Sequence, residues 1–147
     1  MIAIGCDHGG FELKEIILKF LKESGYKCKD YGTYDEKSVD YPDIADKVCN
    51  AITGGECDKG ILICGTGIGM NMCANKHKGI RAAACSDTYS ARLTKMHNNT
   101  NIICFGERVV GAGLACDITD AFLDAEFEGG KHQIRIDMIS SFEENDQ

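Results

Sequence analysis

No run of apolar residues in this 147-residue chain approaches the roughly 18 that a membrane span needs. A basic excess is also missing. Sixteen lysines and arginines face 23 acidic residues, and the net charge of -7 speaks against non-specific binding of nucleic acid or anionic lipid. A few convergent cations could still hold a phosphate. Nine cysteines are present without a single CxxC pair: Cys6, Cys28, Cys49, Cys57, Cys64, Cys73, Cys85, Cys104 and Cys116. Odd in number and scattered, several of them in apolar runs, they suit neither a zinc site nor a disulfide framework, so no metal is expected. They read as reduced thiols serving as small core residues, Cys64 excepted. No export signal is expected, because Met1 leads straight into a strand and Glu12 and Lys14 follow; a cytoplasmic protein is the expectation. No repeat or low-complexity linker divides the sequence, and its length suits one domain over residues 1–147.

The stretch Ile61–Gly69, ILICGTGIG, organises the rest. Ile61, Leu62, Ile63 and Cys64 form an unbroken apolar run, as a strand buried on both faces requires. Gly65, Gly67 and Gly69 follow, and Met70 to Lys76 continues in a helical pattern. Strand, glycine loop and helix together can cradle an anion. Glycines let the backbone approach closely, and successive N–H groups point at the charge. Taken alone, the same pattern also fits a tight turn with no ligand. Cys64 adds a potential nucleophile or base at the carboxyl end of a parallel strand, where open α/β sheets place their ligands. A dinucleotide site is disfavoured. The spacing is GxGxG rather than GxGxxG, and no acidic residue ends a following strand at the expected distance.

Five strands are expected, at Met1–Cys6, Tyr26–Tyr31, Ile61–Cys64, Ile80–Cys85 and Asn101–Phe105, with the second nearer an edge. Helical spacing joins Leu13, Ile16, Ile17, Phe20 and Leu21, and Gly25 stops that helix. Ile44, Ala45, Val48, Cys49 and Ile52 share another face, opened at Pro42, the only proline. Ser86 or Asp87 caps a helix to about Met96, followed by a polar segment His97–Thr100. The helix Val110–Ala125 shows Leu114, Ile118, Ala121 and Phe122 on one side. After Gly129-Gly130, a last helix presents Ile134, Met138 and Phe142, which either cover their own domain or pack on a second subunit. Strands alternating with helices predict an α/β fold with a parallel sheet covered on both faces.

In such a fold the loops after strands form one rim. It would carry Asp7 and His8, then Cys64, Thr66 and the amides of the glycine loop, then Ser86, Asp87, Glu107 and Arg108. His97 and Asn98 precede the fifth strand and belong to the opposite rim. Lys131, His132 and Arg135 gather on the last helix. Each has a plain structural alternative. Asp7 could be an N-cap, His97 a helix-end residue, and Lys131 and Arg135 a solvated face. His77, in a Lys-His-Lys run, reads as exposed surface.

Gly5–Lys14 (GCDHGGFELK), Asp40–Pro42 (DYP), Ile61–Gly69, Ala74–Lys76 (ANK), Gly79–Ala82 (GIRA), His97–Asn101 (HNNTN), Phe105–Val110 (FGERVV) and Glu128–Arg135 (EGGKHQIR) follow one another in a recognisable order. Together they resemble the type B ribose-5-phosphate isomerases, whose relatives include the galactose-6-phosphate isomerase subunits. The resemblance spans nearly the whole chain. It implies a Rossmann-like three-layer α/β/α sandwich with a five-stranded parallel sheet, and a C-terminal helix packing on a partner subunit. It also implies a homodimer (or a dimer of dimers) with shared active sites, a phosphorylated sugar substrate, a place in the pentose phosphate pathway and no cofactor. Cys64 resembles the base that takes the C2 proton of the open-chain sugar, and His97 the residue that opens the furanose ring. Asp7 and Asn98 match sugar contacts, and the amides of Gly65, Thr66, Gly67, Ile68 and Gly69 match an oxyanion loop. His8, Arg108, Lys131 and Arg135 map onto phosphate-binding positions. Several relatives carry arginine where this chain has Lys131, which keeps the charge and loses the fork. If His97 acts with Cys64, the partner must deliver it.

The chemistry agrees with these residue types. Aldose–ketose isomerisation needs a base near the C2 proton, donors for the enediolate oxygen, and a carrier of protons between O1 and O2, for which Thr66 is the candidate. The thiolate is the active form of a cysteine base, and the amides and cations of such a loop favour it. Two other readings compete: an isomerase of six-carbon phosphosugars such as allose or galactose 6-phosphate, and a catalytically silent phosphosugar-binding module. Cys64 and His97 in a single chain favour the homodimeric pentose enzyme over both.

Overall fold

The apolar run before the glycine loop becomes the central strand of the sheet in the computed structural model, which describes residues 1–144. The last three residues of the expected domain lie outside the described ones. The strands are β1 (Ile2–Cys6), β2 (Cys28–Asp30), β3 (Lys59–Cys64), β4 (Ala82–Ala84) and β5 (Ile102–Gly106). They pair in parallel in the order β2-β1-β3-β5-β4. The helices are α1 (Phe11–Glu23), α2 (Tyr41–Thr53), α3 (Ile68–Ala74), α4 (Thr88–Asn98), α5 (Ala112–Asp124) and α6 (Lys131–Glu144). A single 3-10 turn, His8–Gly10, joins β1 to α1. This is the Rossmann-like arrangement expected of the sequence.

The period of two along the central strands sorts the core into two halves. Ile4, Ile61, Ile63, Ile103 and Phe105 pack toward Leu13, Ile17 and Leu21 of α1 and Ile118 and Phe122 of α5. Ala3, Leu62, Cys64, Ile102 and Cys104 pack toward Ile44 and Val48 of α2 and Met70 of α3. Each fully buried aliphatic side chain contributes about 1.5–3 kcal/mol. All nine cysteines are free. Burial pushes the thiols of Cys6 and Cys49 up to about 12 and that of Cys85 up to about 11. They are core residues, and the chemistry is left to others.

Edge position explains where the sequence overreached. β2 and β4 are shorter than the expected strands Tyr26–Tyr31 and Ile80–Cys85, because each has one neighbour and pairs over three residues. The polar segment after Met96 does not end α4, which continues through His97 and Asn98. Asn99 ends it in the left-handed region (φ 45°), with its N–H donating back to the Lys95 carbonyl at 3.2 Å and the Thr100 N–H to the Thr94 carbonyl at 3.4 Å. Ile16 and Leu114 are exposed, since the buried positions of their helices are Leu13, Ile17 and Leu21, and Ala115, Ile118 and Phe122. His77 is not free surface: its Nε2 lies 2.8 Å from Asp46 Oδ1.

Two long-range polar contacts anchor α1. Lys14, wholly buried, donates to both carboxylate oxygens of Asp30 at 2.8 Å and to the Thr33 carbonyl. The Leu13 N–H donates to Glu107 Oε1 at 2.7 Å, so Glu107 caps α1 across the sheet. On α6, Ile136 is buried, whereas Ile134, Met138 and Phe142 are all more than 60% exposed. That face does not cover its own domain.

Candidate active site

The chain runs from β1 to β2 on one side and returns to place β3 on the other, so the sheet reverses its order between β1 and β3. Crevices of open α/β sheets form at such a switch. In register, Cys6 lies opposite Ile63, and Cys64 opposite Gly106, so the loops leaving β1, β3 and β5 share one rim.

Cys64 ends β3 with its side chain buried, and its Sγ accepts a hydrogen bond from the Gly67 N–H at 3.1 Å. Gly67 adopts φ +82°, and a Cβ there would stand 2.8 Å from the Phe105 backbone. Only glycine fits. Gly106 is equally tight, since a Cβ there would meet Thr66 Cα at 2.4 Å. The loop is therefore pressed onto the end of β5, and Arg108 donates its N–H to the Gly65 carbonyl at 3.1 Å. The Arg108 guanidinium lies against Gly65, Nη1 being 3.3 Å from where a Cβ would be.

The 3-10 turn meets the loop from the other side. A Cβ on Gly9 would stand 3.3 Å from the Gly65 nitrogen. Asp7, buried, caps the turn by accepting the Gly9 N–H at 2.9 Å. His8 is exposed, and its Nδ1 accepts the Val39 N–H at 3.3 Å, which leaves a neutral ring's proton on Nε2, the nitrogen free to donate. Thr66 Oγ1 accepts the Ile68 N–H at 3.3 Å. Two amides of the loop are thus engaged internally. Those of Gly65, Thr66 and Gly69 have no hydrogen-bond acceptor among the described residues. Asp7, His8, Cys64, the glycine loop and Arg108 form one assembly. Tyr41 joins them, because a Cβ on Gly69 would be 2.8 Å from its ring. The sequence reading passed over Tyr41 although it lies in the quoted DYP block.

His97 and Asn98 are elsewhere. They occupy the last turn of α4, which leads through Asn101 to the start of β5, and Asn101 accepts the Gly60 N–H at 2.8 Å beside the start of β3. Five steps along β3, about 16 Å at 3.3 Å per residue, separate this rim from Cys64. The His97 ring stacks on that of His132, with centroids 4.2 Å apart and planes 9° from parallel. One carboxylate serves both. Glu128 Oε1 is 3.8 Å from His97 Nε2, and Oε2 is 3.5 Å from His132 Nε2. Lys131 and Arg135, both exposed, extend along the same helix. Glu128 and His132 were not assigned to a site from the sequence; their presence in the EGGKHQIR block was the available signal. The ligand atoms of His97, Glu128 and His132 lie within 4.8 Å of one another. Coordination by imidazole places the ion in the ring plane, and two rings stacked face to face share no such position as they stand. The expectation of no metal-ligand spacing therefore gains a correction: a cluster exists, in a geometry unsuited to chelation.

A parallel sheet that ends in a thiol, with free backbone amides and an arginine around it, is an α/β arrangement of donors suited to an anion. Residues 2–139 match the family described as Ribose/Galactose Isomerase. Ribose-5-phosphate isomerase B of Escherichia coli (strain K12) is 52% identical over 143 residues, 97% of this chain and 96% of that protein. D-erythrulose-4-phosphate isomerase of Pectobacterium atrosepticum is 45% identical over 148 residues, 99% of this chain and 97% of that protein. The solved ribose-5-phosphate isomerase B of Clostridium thermocellum superposes with a TM-score of 0.98 at 52% identity, covering 99% of both chains. The chain belongs to the ribose/galactose isomerase family. It is an isomerase.

Proposed function

We propose that this isomerase interconverts D-ribose 5-phosphate and D-ribulose 5-phosphate, in the cytoplasm and within the pentose phosphate pathway, at sites shared by two subunits of a homodimer. The carrying observation is the division of the expected groups between two rims. Cys64 and the free amides stand on one, and His97, Lys131 and Arg135 on the other. A second copy brings them together. The exposed Ile134, Met138 and Phe142 of α6 are the apolar face such a copy would cover.

In this reading His97 opens the furanose, moving a proton from the anomeric hydroxyl to the ring oxygen. His8 and Arg108 hold the phosphate together with the partner subunit's Lys131 and Arg135. Asp7 and the partner subunit's Asn98 orient the hydroxyls. Cys64 Sγ then removes the C2 proton, and the C1 carbonyl electrons move onto O1 to give the enediolate. The free loop amides stabilise that charge, each such donor being worth about 2.7–4 kcal/mol. Thr66 carries a proton from O2 to O1, and the Cys64 thiol returns its proton to C1. General acid–base steps of this kind contribute roughly 10²–10⁴ each. No cofactor is needed in this sequence of proton transfers.

Assay of the purified protein on ribose 5-phosphate, allose 6-phosphate and galactose 6-phosphate tests the assignment. The highest kcat/KM is expected for ribose 5-phosphate. A higher value for either six-carbon sugar would overturn the substrate, and binding without turnover of any would leave a phosphosugar-binding module.

A further inference from the structure

We infer that His132 and Glu128 are positioning residues for His97, an inference that rests on His97 opening the sugar ring. His97 sits in the final turn of α4, one residue before the chain leaves the helix at Asn98. More than a third of its side chain is exposed, so α4 alone leaves the ring partly unrestrained. Proton transfer to a ring oxygen tolerates little play, since a misplacement of about 1 Å can cost 10²-fold. The missing restraint comes from the chain that leads into α6.

Its attachment is specific. The Glu128 N–H donates to the Met96 carbonyl at 3.0 Å, which fixes the Glu128 backbone beside the residue that precedes His97. Gly129 and Gly130 then take φ +69° and +58°, consecutive left-handed positions that turn the chain into α6. The His132 N–H closes that turn on the Gly129 carbonyl at 3.1 Å. The outcome is an imidazole laid flat against His97. His132 is the more buried ring, with 14% of its side chain exposed against 37% for His97, so it lies behind and His97 is presented. Glu128 faces the Nε2 atoms of both rings and supplies a negative charge for an imidazolium formed on His97 during ring opening.

The test isolates ring opening from isomerisation. In a Cys64→Ala background the sugar stays an aldose, while ring opening still exchanges its α and β anomers, which exchange NMR of ribose 5-phosphate measures directly. Cys64→Ala protein should accelerate this exchange, and Cys64→Ala/His97→Ala should not. Adding His132→Ala should slow it roughly 10- to 100-fold, with the Kd for ribose 5-phosphate changed less than about twofold. His132→Phe keeps a flat ring behind His97 and should recover most of the rate. Glu128→Gln should lose about tenfold. Unchanged exchange in the His132→Ala protein, with His97→Ala inactive, would overturn the positioning role and leave the role of His97 intact. Equal loss of binding and exchange, or a His132→Phe protein as slow as the alanine variant, would also overturn it. No acceleration by the Cys64→Ala protein itself would overturn the ring-opening role of His97, and this inference with it.

Discussion

Mixing two inactive variants should restore activity. Cys64 ends β3, and His97 lies beyond its start, about 16 Å away along a strand rising 3.3 Å per residue. Neither side chain spans that gap, and the sheet between them is filled with core. Suppose each site takes Cys64 from one chain and His97 from the other. Cys64→Ala and His97→Ala homodimers then lack one group in every site and are both inactive. In a mixed dimer one site carries both lesions and the other carries neither. Equal amounts with free exchange make half of the dimers mixed, with one of two sites working, so roughly a quarter of wild-type activity returns. An interface that completes a site is expected to be large, and exchange will need mild denaturant followed by refolding. Distinct affinity tags on the two variants allow the mixed species to be isolated, where the expectation rises to half. Tagged mixed dimers that stay inactive would refute the sharing of sites and place both residues in one chain's site.

Iodoacetamide at neutral pH should modify Cys64, whose Sγ accepts the Gly67 N–H, before the more exposed Cys28, Cys73 and Cys116, and ribose 5-phosphate should protect it. Peptide mass spectrometry against residual activity reads the order, and faster labelling of Cys28 would count against a special environment at Cys64. Arg135→Ala should raise KM for ribose 5-phosphate at least tenfold while changing KM for unphosphorylated ribose little, about 1.4 kcal/mol or more of phosphate binding being lost; equal effects on both sugars would assign α6 to structure. Burial pushes the thiols of Cys6 and Cys49 up from an ordinary 9.0 to about 12, so the fold favours the protonated thiol. That stability is fully present below pH 9 and is lost as pH rises toward 12, on the order of 1 kcal/mol per thiol by pH 10. Urea unfolding under reductant at pH 8 and 10 should show the loss, and Cys6→Ala/Cys49→Ala should reduce it, the buried Cys85 and Cys104 keeping their share; an unchanged slope in that variant would refute the source.

What the sequence made legible follows from how local each signal is. Ile61–Cys64 could be read as a central strand because burial on both faces leaves no polar residue in the run. The rim that carries Cys64 and Arg108 followed from the βα alternation alone. Asn99 was harder, because the polar letters from His97 to Thr100 say nothing of which one turns left-handed; the helix absorbed His97 and Asn98 in consequence. The pairing of His97 with His132 was not legible at all. Thirty-five positions separate them, and the contact depends on two glycine φ angles and one backbone hydrogen bond at Met96. Glu107 looked like a rim residue on equal terms with Arg108, and only its reach to Leu13 across 94 positions shows its different task.

That task bears on how a chain of net charge -7 can receive an anion. Asp7 and Glu107 sit on the same rim as Cys64, and two free carboxylates there would oppose both the phosphate and the enediolate. Each is turned to a backbone donor instead. Glu107 Oε1 accepts the first-turn N–H of Leu13, where the positive end of α1 offsets its charge, and Asp7 Oδ1 accepts the Gly9 N–H. The donors of this rim without an acceptor among the described residues are then His8 Nε2, the Arg108 guanidinium and the free amides of the glycine loop, while Asp7 Oδ2 is left for a sugar hydroxyl. In the proposed site, local orientation rather than overall charge would draw the anion to this rim. Glu107→Gln should therefore weaken α1 capping, read by urea unfolding, more than it strengthens phosphate binding, read by KM, because Oε1 of that carboxylate is held on the first turn of α1.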